Sequence, residues 1–230
     1  MTDRNPALDR VAKRALQEVE SGMRLGLGTG RAAEAFIHNL GERVRAGLQV
    51  VAVATSERSA KLAREVGITV EPLSESVPLD TAFDGADEVS GDLALTKGLG
   101  GAMLRERVVA ADAKRFFVLV TPEKLVARLG ERSPLPVEVV PFALPTVSRA
   151  AARLCAEARL RKAANGEAVL TDNGNLVLDL FSAPGGWQDA RALDQAVRAL
   201  PGVVDTGFFF GMATAVFVAD ESAVRVLEAS

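Results

Sequence analysis

Two carboxylates, Asp84 and Asp87, flank Gly85 and Ala86 in the stretch FDGADEV (83–89). Lys97 follows, then the glycine-rich run Gly98, Leu99, Gly100 and Gly101, then Glu106. Ionised carboxylates accept hydrogen bonds from hydroxyl groups and pass protons among them. An all-oxygen metal site needs more ligands, and a lysine is a poor neighbour for a cation. Acids just past a strand also cap turns, so Asp84 and Asp87 fit that use as well. On a helix, 100° per residue groups Glu106 with Ala102, Met103, Ala110 and Ala113, and sends Arg105 and Asp112 to another face. Partial burial there would raise the glutamate pKa toward working pH, as a base for a carbon-bound proton requires. The same spacing suits an ordinary glutamate paired with a nearby arginine.

A second cluster is GLGTG (26–30), between a short strand and a helix, where backbone N–H groups converge and favour an anion. The spacing is G-x-G-x-G, not the dinucleotide G-x-G-x-x-G, and the next strand lacks a ribose-binding acid at its tip. No Gly-Lys-Ser/Thr follows, so a P-loop is excluded too. A small phosphate or carboxylate fits better, with Thr29 adding a hydroxyl and Arg31 a charge. A tight turn with positive φ would use the same glycines. Lys124, just after the apolar run 116–120, would reach the same edge of a parallel sheet, where ligands bind. A solvated lysine is the plainer reading of that position.

These residues need elements to place them. Asn5 and Pro6 begin a helix to about Val19. Strand 23–27, helix 32–45, strand 48–54, and a helix capped by Thr55 or Ser56 and closed at Gly67 follow. Strands at 69–71, 81–84 and 116–120, with a helix through Glu106, complete a βαβ rhythm and predict a parallel sheet. Near Ser133 the rhythm changes to a strand, a helix over 145–158, a hairpin turning at Asn173-Gly174, a helix over 187–200 and a strand. That order is close to ferredoxin-like. The expected fold class is α/β, with 1–130 plus 205–230 as a mainly parallel sheet domain and 131–204 as a smaller α+β domain. The tail, a strand over 214–219 and a helix over 221–229, is expected to return to the first sheet.

The totals narrow the chemistry. The 230 residues are 48% hydrophobic and 25% charged, with net charge −3. This is an ordinary globular balance that gives no reason to expect nucleic acid or an anionic membrane as partner. No apolar run is long enough to span a membrane, and the N-terminus lacks the pattern of a signal peptide, so a soluble, cytoplasmic protein is expected. Cys155 alone excludes an internal disulfide or a multi-cysteine metal site. There is no Tyr, and His38 is the only histidine. Acid–base work must therefore come from carboxylates and lysines.

The ordered segments GLGTG, TSERSAKLAREVGI, FDGADEV, TKGLGGAMLRERVVA, PLPVEVVPFA, TDNGN and PGVVDTGFF run through nearly the whole chain. They resemble the type A ribose-5-phosphate isomerase family. The resemblance implies a Rossmann-like first domain, a ferredoxin-like second domain and a homodimer or homotetramer. It also implies interconversion of D-ribose 5-phosphate and D-ribulose 5-phosphate in the pentose phosphate pathway, with no metal or other cofactor. Glu106 falls at the proton acceptor, with Asp84, Asp87 and Lys97 beside it in the expected catalytic set. Thr29, Gly30, Arg31, Ala32, Gly85, Ala86, Gly98, Leu99, Gly100 and Lys124 fall, with Asp84, Asp87 and Lys97, at substrate-contacting positions. Four positions depart from the family pattern. Arg31 and Ala32 replace two hydroxyl residues of GTGST, Leu99 interrupts a glycine run, and Leu8 stands where a lysine is frequent. Arg31 would compensate with a charge-assisted contact. The expected activity is aldose–ketose isomerisation through an enediolate with Glu106 as base. The alternatives are a sugar-phosphate sensor domain, an isomerase of a different pentose phosphate, an amino-sugar phosphate deaminase or a coenzyme A transferase. A sensor that regulates transcription would need a DNA-binding module, for which too few residues precede the first strand.

Overall fold

A computed structural model describes residues 5–220 and 222–228. The chain divides into two compact units. One comprises Met1–Ala86, Arg105–Lys124 and Gly211–Ser230, the other Asp87–Leu104 and Leu125–Phe210.

The first unit is built on a seven-stranded sheet. From edge to edge its strands are Thr69–Val70, Val51–Ala54, Arg24–Leu27, Leu79–Asp84, Ala113–Val120, Ala215–Ala219 and Val224–Glu228. The first six are parallel and the last is antiparallel. Along the chain of this unit that order is third, second, first, fourth, fifth and sixth, the Rossmann order. Its switch point lies between Arg24–Leu27 and Leu79–Asp84, where successive strands stop adding to one side and begin adding to the other. The central strands read as nearly continuous apolar runs because a parallel sheet is covered on both faces. Across the sheet runs a row of stacked rings: Phe36 on Phe83 at 4.3 Å, Phe83 on Phe117 at 5.7 Å and Phe117 on Phe217 at 5.1 Å.

Local sequence accounts for the helix ends. Asn5 Oδ1 accepts from the N–H groups of Ala7 and Leu8, and Pro6 occupies the first position of Pro6–Ala15. Ser56 caps Glu57–Glu65 by accepting from Ser59 N–H. The tail differs from expectation. Val224–Glu228 is a strand paired with Ala215–Ala219, not a helix, although Glu221 and residues 229–230 lie outside the described residues. Asp220 Oδ1 accepts from Ser222 N–H, Ser222 Oγ and Ala223 N–H, which closes a tight turn. The β-branched residues that follow then favour a strand.

The second unit holds a four-stranded antiparallel sheet in the order Val203–Thr206, Leu135–Val139, Leu176–Phe181, Glu157–Leu160. With helices Leu144–Ala151 and Ala190–Arg198 the sequence is strand, helix, strand, strand, helix, strand, the ferredoxin-like arrangement. The helix expected over 145–158 stops at Ala151, and Glu157–Leu160 is the strand that pairs with Leu176–Phe181. Ala158 turns into the core here, so tertiary packing overrides the helical propensity of an alanine-rich stretch. The turn at Asn173-Gly174 forms, but residues 162–170 contribute only isolated bridges and not a full hairpin arm. A three-stranded sheet, Phe208–Phe209, Leu95–Thr96 and Glu88–Val89, also belongs to this unit. The compact units thus follow different limits from 1–130, 131–204 and 205–230. No described helix is long and apolar enough to cross a membrane.

Candidate active site

Each glycine of the GLGTG loop answers a different need. A Cβ on Gly26 would lie 2.5 Å from Val109 Cγ1, so this strand admits helix Met103–Asp112 only as glycine. A Cβ on Gly28 would lie 2.0 Å from the Asp84 carboxyl carbon. Gly30 has φ 101° and precedes helix Arg31–Arg45, which has no side-chain N-cap.

Asp84 ends the strand Leu79–Asp84 and is 3% exposed. Its Oδ1 accepts from Thr29 N–H at 3.0 Å and Gly85 N–H at 2.7 Å, joining the glycine loop to the DGAD turn at the switch point. A Cβ on Gly85 would lie 3.5 Å from Ala32 Cβ, an ordinary contact. The Thr29 hydroxyl is within hydrogen-bonding distance of Thr55 Oγ1 at 2.7 Å and donates to Ser56 Oγ at 2.9 Å. Ser56 in turn donates to Ser59, and Ser59 to the Gly28 carbonyl. The Thr29 hydroxyl thus links the glycine loop to Thr55 and Ser56 at the end of the neighbouring strand. The first turn of helix Arg31–Arg45 follows the loop, with Arg31 itself exposed. The signal for Thr55 and Ser56 was the polar pair at a strand end, read only as a cap.

Lys124 closes the short 3-10 helix Pro122–Lys124 after strand Ala113–Val120, at the carboxyl edge of the same sheet. A hydrogen bond from Thr121 and the charges of Lys124 and Arg31 hold the Glu123 carboxyl below its ordinary range. Arg31 and Lys124 are thus both within electrostatic reach of Glu123. Glu106, on helix Met103–Asp112, is 4% exposed, and Met103 and Ala110 on its face are buried. Ala113 already belongs to the next strand. Arg105 turns away and pairs with Glu57 at 3.0 Å.

The second unit carries the remaining residues. Asp87 Oδ2 accepts from Leu99 N–H at 2.9 Å. Lys97 is 1% exposed, its N–H donates to Gly207 O at 2.8 Å, and its ammonium lies 5.7 Å from the Phe209 ring centroid. Gly98 and Gly101 have positive φ, whereas Leu99 does not. Leu99, 44% exposed, is tolerated because its position needs neither left-handed backbone nor interior space. The chain passes from one unit to the other between Ala86 and Asp87 and again between Leu104 and Arg105. Among the described residues no group of three or more His, Cys, Asp or Glu side chains is placed to hold a metal ion.

Asp84 and Glu106 in the first unit and Lys97 in the second are buried ionisable side chains. Fold and residues together define an α/β enzyme of Rossmann-like topology with a ferredoxin-like second part. The family model for ribose 5-phosphate isomerase A (phosphoriboisomerase A) matches residues 51–223. The chain belongs to this family and is an isomerase. It is 49% identical to ribose-5-phosphate isomerase A of Gloeobacter violaceus over 96% of this chain and 95% of that one. The corresponding protein of Roseiflexus castenholzii is also 49% identical, over 95% and 94% of the two chains. Among solved structures, ribose 5-phosphate isomerase A of Methanocaldococcus jannaschii superposes with TM-score 0.90 at 39% identity, covering 96% of this chain and 98% of that chain. A D-ribose-5-phosphate isomerase in complex with phospho-erythronic acid superposes with TM-score 0.91 at 35% identity, covering 96% and 97%.

Proposed function

We propose that this chain interconverts D-ribose 5-phosphate and D-ribulose 5-phosphate by proton transfer through an enediolate, with Glu106 as the base. The observation that carries the reading is a buried carboxylate on an apolar helix face, in a chain of this family. Glu106 takes the proton from C2 of the open-chain aldose, the C–H electrons become the C1–C2 double bond, and the proton is returned to C1. Asp84 and Asp87 hold hydroxyl groups and carry protons between O1 and O2. Lys97, more deeply buried than Lys124, offsets the charge that develops on oxygen, because a cation acts more strongly where water is excluded. A preorganised group of this kind supplies about 3 kcal/mol, and a positioned base contributes roughly 100- to 10,000-fold. Lys124, Arg31 and the first turn of Arg31–Arg45 take the phosphate.

The ligand of the related structure supports this chemistry. Phospho-erythronic acid is a phosphorylated sugar acid, and its planar anionic carboxylate has the shape and charge of an enediolate. Self-association as a homodimer or homotetramer and a cytoplasmic location belong to the same proposal, supported by the family resemblance. The test is to convert ribose 5-phosphate in deuterium oxide and read the product by NMR. Deuterium at C1 of ribulose 5-phosphate is expected. A ketose formed without any deuterium at C1 would point to a direct hydride shift and contradict the reading.

A further inference from the structure

Arg161 and Asp179 lie outside every segment with a chemical signature, yet they grip the loop that carries Lys97. Arg161 follows strand Glu157–Leu160, and Asp179 lies in Leu176–Phe181. Both side chains are largely withdrawn from solvent, at 14% and 13% exposed. Arg161 Nε donates to Asp179 Oδ2 at 2.8 Å and Nη2 donates to Oδ1, a bidentate pair that fixes the plane of the guanidinium. Its remaining nitrogen, Nη1, donates to both the Gly98 and the Leu99 carbonyl, each at 2.9 Å. Those carbonyls belong to neither sheet nor helix, and Leu99 is exposed, so the fork does not seal a core. It holds a loop. Asp87 holds the same loop from its N–H side through Leu99 N, and Gly207 O holds Lys97 N. A Cβ on Gly207 would lie 2.2 Å from Lys97 O, so the backbone there is packed without slack.

We infer that Arg161, oriented by Asp179, is a positioning residue that fixes the 98–99 carbonyls and thereby sets where the Lys97 ammonium stands during isomerisation. The inference rests on the role proposed above for Lys97. A lysine at 161 keeps the charge but has no planar fork, so it cannot hold Asp179 and two carbonyls at once. A reacting group displaced by about 1 Å loses on the order of 100-fold in rate, so the effect belongs in kcat.

The test compares Arg161→Lys and Asp179→Asn with wild type and with Lys97→Met, measuring kcat and KM for ribose 5-phosphate and amide hydrogen exchange at Leu99 and Gly101. Expected for both variants are a kcat lower by roughly 10- to 100-fold, a KM within about two-fold and faster exchange at those two amides. Asp179→Asn, nearly isosteric, gives the reading if Arg161→Lys does not fold. Wild-type kcat in Asp179→Asn or Arg161→Lys beside an impaired Lys97→Met would overturn the clamp alone. So would a raised KM at unchanged kcat. Wild-type kcat in Lys97→Met would instead overturn the site reading and the inference with it.

Discussion

Gly28 shows how one missing methyl group organises this site. The Asp84 carboxyl occupies the space a side chain would fill, and from there it accepts the Thr29 and Gly85 N–H groups. Gly28→Ala is therefore expected to displace Asp84 and lower kcat by roughly 10-fold or more, with steady-state kinetics as the check. In the proposed reading Arg31 acts through charge at the phosphate end of the substrate. A hydrogen bond from a charged group contributes about 1.5–3 kcal/mol, so Arg31→Ala should raise KM for ribose 5-phosphate by roughly 10-fold or more and leave kcat nearly unchanged. A KM within error of wild type would remove Arg31 from phosphate recognition. The burial of Glu106 was legible in the sequence because its apolar helix neighbours lie three and four residues away. The burial of Lys97 was not, since it depends on Gly207 and Phe209, far along the chain. Arg161 gave no local signal either. Its partners are loop carbonyls more than sixty positions earlier.

At the scale of elements, the Rossmann-like half was readable because each buried strand announces itself as an apolar run, and Asn5 and Ser56 cap two of its helices. The Phe83 ring, stacked between Phe36 and Phe117 and 1% exposed, ties helix Arg31–Arg45 to two adjacent strands beneath the site. Phe83→Ala is expected to cost about 3–5 kcal/mol of stability, measurable by urea denaturation. Strand Glu157–Leu160 was hidden because alanine, leucine and arginine at those positions fit a helix equally well. The two-residue strands Glu88–Val89 and Leu95–Thr96 were too short for any period to appear. In the tail, the turn at Asp220 decided the outcome. The Ser222 hydroxyl, followed by the Ala223 and Ser222 N–H groups, holds the Asp220 carboxyl at about 2. A folded value below the unfolded one, about 3.9, stabilises the hairpin above pH 4 and loses that effect as pH falls toward 2. Asp220→Ala should melt below wild type at pH 7, by a small margin because the group is exposed, and match it near pH 2. A difference that persists unchanged into acid would rule out the carboxylate as its source.

For the whole molecule, likeness to relatives over nearly full length agrees with the fold. A mechanism carried by Glu106 predicts that a chelator leaves turnover unchanged, whereas loss of activity restored by a divalent ion would replace the base with a metal. Phospho-erythronic acid at about 100 times its Kd should raise stability by about 2.7 kcal/mol, read as a higher Tm, and inhibit competitively. The most direct measurement is the turnover of Glu106→Gln at saturating ribose 5-phosphate, since the amide keeps the shape of the side chain and removes its basicity. The account predicts a kcat lower by roughly 100- to 10,000-fold with the Tm preserved. A folded Glu106→Gln protein that turns over at close to the wild-type rate would contradict it.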